Sequence, residues 1–378
     1  LKAARPRCRL VLLIPDTLPP KPKLTWKDFR YAIKDLFDWQ RPEETPADPA
    51  RKNSDALINR LRQIDPSLEI RYSAGLDDGL AQAAADLRLD AVYLAMRCPK
   101  SRPACALVGY VPDYQHRHLP HLFSTEERAQ RDQVFGALIA VSDAMVMNAR
   151  AVAEDMRRFT PGPLPELHVL PFSPNLDPEW LQDRPVLRAA YAIDGPYFIV
   201  CNQFWEHKDH RTAFRAFARI AADHPGVKLV CTGSPLDSRS PAYFPSLQEE
   251  LRRLGIADRV QILGLIPKRD QIELLKQAVA LVQPTLFEGG PGGGAAYDAV
   301  GLDVPVILSD IAVNREVDCG KVTLFPAGDA EALAEKMRAA LRAKPTRLEA
   351  ASLLAQSQAK AEDCGETIWR ALMVARKA

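Results

Sequence analysis

The sequence predicts an α/β protein with two doubly wound, mainly parallel sheets in series. Three observations carry that expectation. Short apolar runs of strand length alternate with longer stretches of helical spacing along the chain, the pattern of a parallel sheet with helices on both faces. The 378 residues exceed a single domain at roughly 100–200 residues each. Between two blocks of this alternation lies a proline-dense stretch, with Pro161, Pro163, Pro165, Pro171, Pro174, Pro178, Pro185 and Pro196, the composition of a semi-rigid interdomain connection.

Each element follows from local pattern. Arg9–Asp16 (RLVLLIPD) is an apolar strand that ends in a Pro/Lys-rich loop. Residues 25–39 have helical spacing, with Trp26, Phe29, Ile33, Leu36 and Phe37 on one side, and 54–63 read as another helix. SLEIRYS around Ile70 is a strand, GLAQAAADLRL a helix and LDAVYLAM a strand. ALVGYVPD, Ala106–Asp113, is a strand ending in a polar loop. Glu126–Leu138 is helical, AVSDAMVMN a short strand, ARAVAEDMRRF a helix, and LHVLPF closes the first half. The second half runs YFIVCNQ (strand), HRTAFRAFARIAADH (helix), VKLVCTG (strand) and FPSLQEELRRLG, a helix with a terminal glycine stop. VQILG, a helix at KRDQIELLKQA, and the strand VALVQPT follow. A Gly-rich turn then enters a helix near Ala295, and VPVILSD, VTLFP and helices at DAEALAEKMRAALRA and Leu348–Ala375 complete the chain.

Composition narrows the functional class. Hydrophobic residues at 47% and charged residues at 26% are ordinary for a soluble globular protein. Lys plus Arg is 50 and Asp plus Glu 48, so the chain lacks the basic excess of a nucleic-acid binder and no nucleic-acid partner is expected. The seven cysteines (Cys8, Cys98, Cys105, Cys201, Cys231, Cys319, Cys364) are odd in number and never form Cys-x-x-Cys. That pattern fits reduced thiols in a cytoplasmic protein better than a disulfide framework or zinc site. The longest weakly polar stretch, Val134–Met147, is broken by Ser142 and Asp143 and falls short of the roughly 20 residues of a membrane span. The stretch from Leu1 shows no secretory-signal pattern.

In open α/β sheets ligands bind beyond the carboxyl ends of the strands, so the residues just after each strand are the candidates. The strongest segment is FEGGPGGGAAYDAVGLDVPVILSD, Phe287–Asp310. A strand ends, Glu288 follows, and GGPGGG leads into a helix. Glycines there let backbone N–H groups approach an anion, and the helix N-terminus adds partial positive charge, which suits a diphosphate. A flexible surface loop is the plainer alternative, disfavoured by its place between a buried strand and a helix. The turn is neither GxGxxG nor a P-loop. The second segment, CNQFWEHKDH, Cys201–His210, sets Lys208 near a helix start, where it offers charge to a phosphate or lies on the solvated surface. The third, PDYQHRHLPH, Pro112–His121, carries His116, His118 and His121; their spacing without a nearby Cys is weak support for zinc. No Asp-x-Asp pair occurs in the chain, so a metal bridging a sugar-nucleotide diphosphate is not indicated, and no metal ligands are assigned.

These three segments, in this order, resemble the retaining glycosyltransferases of family 4 (glycosyl transferases group 1) with the GT-B fold, most specifically over Tyr197–Leu341 and more loosely from Ala106 onward. The family motif is two glutamates separated by seven residues, before an Ala/Cys-Gly-x-Pro-Val-Ile strand. Anchored on VPVILSD, the motif sets Pro305 against the family proline, puts Asp303 in place of the usual glycine and Asp298 at the second acid; two additional residues lie in the turn. The resemblance implies that Glu288 bonds a donor-sugar hydroxyl, Asp298 holds the ribose, Gly292, Gly293 and Gly294 present amides to the diphosphate, and Lys208 is the phosphate lysine. Gly264, in LGLIP, falls in the segment lining the base pocket. The family's usual arginine six residues before the lysine is replaced by Asn202, beside Gln203, which removes one charge from the phosphate site. The loop after the first strand, TLPPKPKL, has none of the family's glycines, and Pro112 occupies the place of the family histidine near the donor sugar, leaving His116 as the candidate.

The resemblance thus implies two Rossmann-like domains facing a cleft: 1–180 on the acceptor side, 181–350 binding the nucleotide sugar, and a helix at 351–378 crossing back to the first. The expected activity is transfer of a hexose or deoxyhexose, mannose-type among the options, from a nucleotide diphosphate sugar to a glycan or lipid-linked glycan, as in bacterial surface polysaccharide synthesis. Catalytic candidates are Glu288, Lys208 and His116; no cofactor and no metal are expected. A nucleotide-sugar 2-epimerase on the same fold and an inactive binding subunit are the alternatives. Cytoplasmic placement is expected, with peripheral contact at the inner membrane through Lys21–Trp39, whose five basic and three acidic residues flank an apolar side. Packing of that side on the first sheet is the competing reading.

Overall fold

The computed structural model describes residues 9–15, 66, 68–73, 79–182, 190–237, 239–343 and 346–375. The helices expected at 25–39 and 54–63, and with them the membrane-contact segment, lie outside the described residues.

In the first lobe, β1 (Val11–Pro15) and β2 (Glu69–Ser73) pair in parallel, and α1 (Leu80–Asp86) leads to a second parallel sheet. Its strands β3 (Ala91–Ala95), β4 (Ala106–Tyr110), β5 (Ala144–Met147) and β6 (Glu166–Val169) lie side by side in chain order. α2 (Gln115–His118), α3 (Thr125–Val141) and α4 (Arg150–Phe159) connect them. All four residues of β5 are buried, as a parallel strand covered on both faces requires. β4 ends at Tyr110, short of the expected Asp113, because Pro112 has no N–H to give the ladder. α3 starts at a capping box: Glu127 N donates to Ser124 Oγ at 3.1 Å and Ser124 N to Glu127 Oε2 at 2.8 Å.

The second lobe is one six-stranded parallel sheet. In chain order it runs β7 (Tyr197–Cys201), α5 (His210–Ala221), β8 (Lys228–Thr232), α6 (Tyr243–Arg253), β9 (Val260–Ile262) and α7 (Lys268–Gln277). It continues with β10 (Leu281–Gln283), α8 (Gly293–Gly301), β11 (Val306–Ser309), β12 (Val322–Phe325) and α9 (Ala330–Arg342). The spatial order is β12-β11-β10-β7-β8-β9. Phe214, Phe217, Leu247, Leu333 and Met337 fill one face of the sheet, and Leu274, Leu275, Ala296 and Ala299 the other. The order reverses between β7 and β10, so the loops leaving these two strands diverge and open a crevice at their carboxyl ends. That topology places the second and first of the sequence segments above on either side of the crevice.

The last helix, α10 (Ala350–Ala375), belongs to both lobes. Leu353 is buried in the second lobe's core, while Ala371 packs with Val108, Ala144 and Val146 of the first. Ser357 fixes its middle to the connecting chain, accepting from Leu176 N at 2.9 Å and donating to Pro174 O at 3.2 Å.

Candidate active site

Lys208 closes a short 3-10 turn, Glu206–Lys208, after β7, and Glu288 follows β10. The crevice brings them together: Lys208 Nζ donates to Glu288 Oε1 at 2.6 Å, with side chains only 13% and 8% exposed. The two loops are also joined through backbone, since Leu286 N donates to His207 O at 2.8 Å. Burial, and next the charge of Lys208, hold His207 and His210 down to about 3, so both are neutral near pH 7 and Lys208 faces Glu288 with no imidazolium beside it.

The Gly-rich turn is shaped by positive φ at Gly292 and Gly293 (69° and 67°), the N-cap and first residue of α8. A Cβ on Gly293 would stand 3.0 Å from the Glu288 carboxylate, so glycine there leaves that side chain its place. Gly294 faces open space. A chain of buried hydrogen bonds fixes the turn. Asn202 Nδ2 donates to Gln283 Oε1 at 2.5 Å, Gln283 Nε2 to Gly292 O at 2.9 Å, and Gly292 N to Asn314 Oδ1 at 2.9 Å. Asn314 Nδ2 reaches Ser309 O at 2.9 Å, and Ser309 Oγ reaches Thr285 O at 2.5 Å. These buried bonds tie the turn to the ends of β7, β10 and β11, the condition for holding it rigid.

Beside the turn lies a cavity of about 470 Å³, of the size that takes a small-molecule ligand. The first lobe contributes Pro112, Asp113 and Asn148, the second Glu288, Gly293, Gly294 and Tyr297, and α10 adds Cys364. The lobes meet here closely enough that a Cβ on Gly289 would stand 2.8 Å from Pro112 O. A second cavity, of about 520 Å³, is lined by Asp90, Cys105 and Asp143 at the amino ends of first-lobe strands, the wrong end of the sheet for ligand chemistry in this architecture.

Asp298, on α8, is 13% exposed; burial raises its pKa and the ion pair with Lys268 opposes the rise. Gly264 has φ 67° and its carbonyl accepts from Gly233 N at 2.8 Å; the adjoining Leu265 is 76% exposed. Gln203 is exposed, whereas Asn202 is 8% exposed and committed to Gln283. His116 is placed differently from the sequence expectation. It is wholly buried in the first lobe, its Nε2 2.9 Å from Asp132 Oδ1 and its ring enclosed by Tyr114, Phe123 and Phe135. The short helix α2 turns it inward and turns His118 toward the second lobe, where its ring lies 5.5 Å from Phe287 and its Nε2 2.8 Å from Asp155. Sequence reading missed Gln283 and Asn314, which carry no charge and belong to no motif; only the shared location of strand ends could have pointed to them.

Two facing parallel α/β lobes with the reversal point at the cleft define the GT-B fold. The crystal structure of Anabaena Alr3699/HepE in complex with UDP and glucose shares it at TM-score 0.55 and 16% identity, over 85% of this chain and 87% of that one. Residues 183–352, essentially the second lobe, match the family model of glycosyl transferases group 1. Among curated relatives, the O-antigen chain mannosyltransferase RfbU of Salmonella typhimurium is 30% identical over 121 residues, 32% of this chain and 31% of the relative. The mannosylfructose-phosphate synthase of Agrobacterium fabrum is 21% identical over 145 residues, 38% of this chain and 32% of the relative. The chain thus spans about a third of the length of the curated relatives it matches. Among the described residues no helix is long and apolar enough to cross a membrane.

Proposed function

We propose that this protein is a retaining, metal-independent glycosyltransferase of family 4. It moves a hexose, mannose-type first among the options, from a nucleotide diphosphate sugar to a glycan or lipid-linked glycan at the cytoplasmic side of the membrane. The observation that carries the proposal is the buried Lys208–Glu288 pair at the reversal point of the second sheet, under a glycine turn that opens a helix N-terminus. The GT-B neighbour with bound UDP and the mannosyl chemistry named for two of the curated relatives support the donor class.

In this reading the donor diphosphate lies at the start of α8 against the Gly294 amide, since Gly292 N and Gly293 N are already bonded to Asn314 and Gly290, and it draws Lys208 from Glu288, leaving the carboxylate to accept a hydrogen bond from a sugar hydroxyl. Asp298 accepts from the ribose, and Leu265 and Gly264 border the base. The anomeric C–O bond to phosphate breaks, the acceptor oxygen bonds the same face of that carbon, and the acceptor's proton passes to the departing phosphate oxygen. No side-chain base is then required. Lys208 and the helix amides stabilise charge that grows on the leaving group, and the two lobes exclude water, the competing acceptor.

The test is a thermal-shift screen with UDP-, GDP- and dTDP-sugars, in which a ligand at about 100 times its Kd stabilises by roughly 2.7 kcal/mol. The donor that shifts the transition is then turned over in EDTA, and NMR reads the anomer first released. Retained configuration and unchanged rate in EDTA are expected. Absence of any nucleotide-sugar shift, an inverted anomer, or a rate that needs added Mg²⁺ or Mn²⁺ each overturns the corresponding part of the proposal.

A further inference from the structure

Besides the contacts of His118 with Phe287 and of Pro112 with Gly289, the lobes meet along two edges of the cleft, and the edges are built differently. On one, Val313, from the 3-10 turn Ala312–Glu316, is buried in the first lobe's core with Val111, Met147 and Ala149. The Glu316 carboxylate accepts from Arg150 N and Ala151 N at 2.8 Å each, capping α4, whose own N-cap residue Ala149 has no side chain to offer. With α10 crossing between the lobes, this is a joint of buried apolar and backbone contacts.

The other edge is narrow. Arg239, on the loop after β8, places its guanidinium carbon 5.3 Å from the ring centroid of Trp205 in its own lobe and 5.4 Å from that of Phe123 in the first lobe. Its Nη1 donates to Gln115 Oε1, also of the first lobe, at 3.2 Å. A flat cation can meet two rings and an amide oxygen at once, which an ammonium cannot reproduce. The loop is locked to the turn that bears Lys208. Asp237, 7% exposed, accepts from Glu206 N at 3.3 Å and Arg239 N at 3.0 Å, and Phe204 N donates to Ser234 O at 2.9 Å. A shift of Arg239's loop therefore carries Glu206–Lys208 with it.

We propose that Arg239 is a positioning residue: paired with Asp237 at 3.6 Å in its own lobe and held by Trp205, Phe123 and Gln115, it pins this edge of the cleft and sets where Lys208 and Glu288 stand relative to an acceptor carried by the first lobe. The kinetic half of this proposal rests on the reading of the cleft as a glycosyl-transfer site; the structural half does not. The arginine also follows a different logic from the family phosphate arginine that Asn202 replaces, since it acts across the lobes through the turn rather than on the donor.

The experiment compares the full chain with Arg239→Gln, Arg239→Lys, Phe123→Leu and the Phe123→Leu/Arg239→Gln double variant. Small-angle scattering reads lobe separation without any ligand, and circular dichroism checks folding. Each single variant is expected to raise the radius of gyration, the lysine to fail as a substitute, and the double variant to open no further than the larger single. In turnover of the donor found by the thermal screen, kcat is expected to fall about tenfold while KM and UDP or GDP affinity stay within about twofold, the scale of losing one cation–π contact and one charged hydrogen bond across the cleft from a closure equilibrium. Unchanged scattering in the folded variants, or additive effects in the double, overturns the proposal. If the scattering follows expectation but the parent turns over no nucleotide sugar, the glycosyl-transfer reading fails and the Arg239 latch stands.

Discussion

Substituting alanine at Gly293 and at Gly294 separates the shape of the turn from its chemistry. Gly293 sits at φ 67°, where an L-residue costs about 1–2 kcal/mol. Its new Cβ would stand 3.0 Å from both Cδ and Oε1 of Glu288 and 3.1 Å from Gln283 Nε2, so the carboxylate must give by a few tenths of an ångström. Glu288 is not free to move cheaply, because Lys208 holds it at 2.6 Å. Gly293→Ala is therefore expected to lower stability by about 1–2 kcal/mol, about 2–8 °C in Tm for a lobe of this size, and to cut turnover by about tenfold or more through misplacement of the pair. Gly294 has an ordinary φ and no atom within 4 Å of a built Cβ. There alanine is the better helix former by about 1 kcal/mol, so Tm should hold or rise while the methyl intrudes on the cavity and raises donor KM. Calorimetry paired with donor turnover reads both. Equal Tm in the two variants, or parent-level turnover in Gly293→Ala, refutes the argument that the glycine protects the Lys208–Glu288 geometry.

Lys208→Ala is expected to lose roughly 10²–10³-fold in turnover, the scale of removing one stabiliser of developing charge; a loss under about threefold in the folded variant would assign leaving-group stabilisation elsewhere. The pH dependence has a defined sign. His207 and His210 are held near 3 in the folded state against 6.5 unfolded, so the unfolded chain takes up protons first as pH falls. Their contribution is complete above about 6.5 and is lost progressively toward 3. His210→Phe keeps the stack on Phe204, whose ring centroid lies 4.1 Å away, and is expected to flatten the fall of Tm between pH 7.5 and 4.5. Parallel Tm profiles for parent and variant would show that His210 does not carry this linkage.

Most of the second lobe was legible because its signals are local. Apolar runs such as VPVILSD and amphipathic stretches such as HRTAFRAFARIAADH each encode one element, and the glycines after VALVQPT announce a strand-to-helix turn. Strand order is not local and the alternation does not supply it, but the alternation alone sets Lys208 and Glu288, 80 residues apart, just past strand ends, and the structure shows that the two strands are neighbours. His116 failed for a different reason. A four-residue helix, Gln115–His118, decides which histidine faces inward, and no pattern in PDYQHRHLPH distinguishes His116 from His118. Neutral partners were the least visible. Gln283 ends a strand as any polar residue would, and Asn314 lies in a 3-10 turn where no helix was expected.

Asn202 shows how far such a reading carries, and it makes a prediction opposite to the one the family pattern suggests. Compared with the family, the residue is a missing arginine, and Asn202→Arg would restore a phosphate cation. In the structure Asn202 is 8% exposed and is the first link of the chain through Gln283 to the Gly292 carbonyl. Its own carbonyl lies against Gly233, where a built Cβ would come within 2.1 Å, so the backbone has no room to retreat. An arginine must either stay buried, overpacking the site at about 1–3 kcal/mol, or swing out and leave Gln283 Oε1 unpaired at a similar cost. Both routes loosen the carbonyl that sets the glycine turn. Asn202→Arg is therefore expected to lower Tm by several degrees and to reduce donor turnover, and Gln283→Glu, which keeps an acceptor for Asn202 but buries a carboxylate against the Gly292 carbonyl, should lower both at least as much. A rise in turnover at undiminished Tm for Asn202→Arg would mean that the site accepts a second cation beside Lys208, and that the Asn202–Gln283 bond is dispensable to the turn.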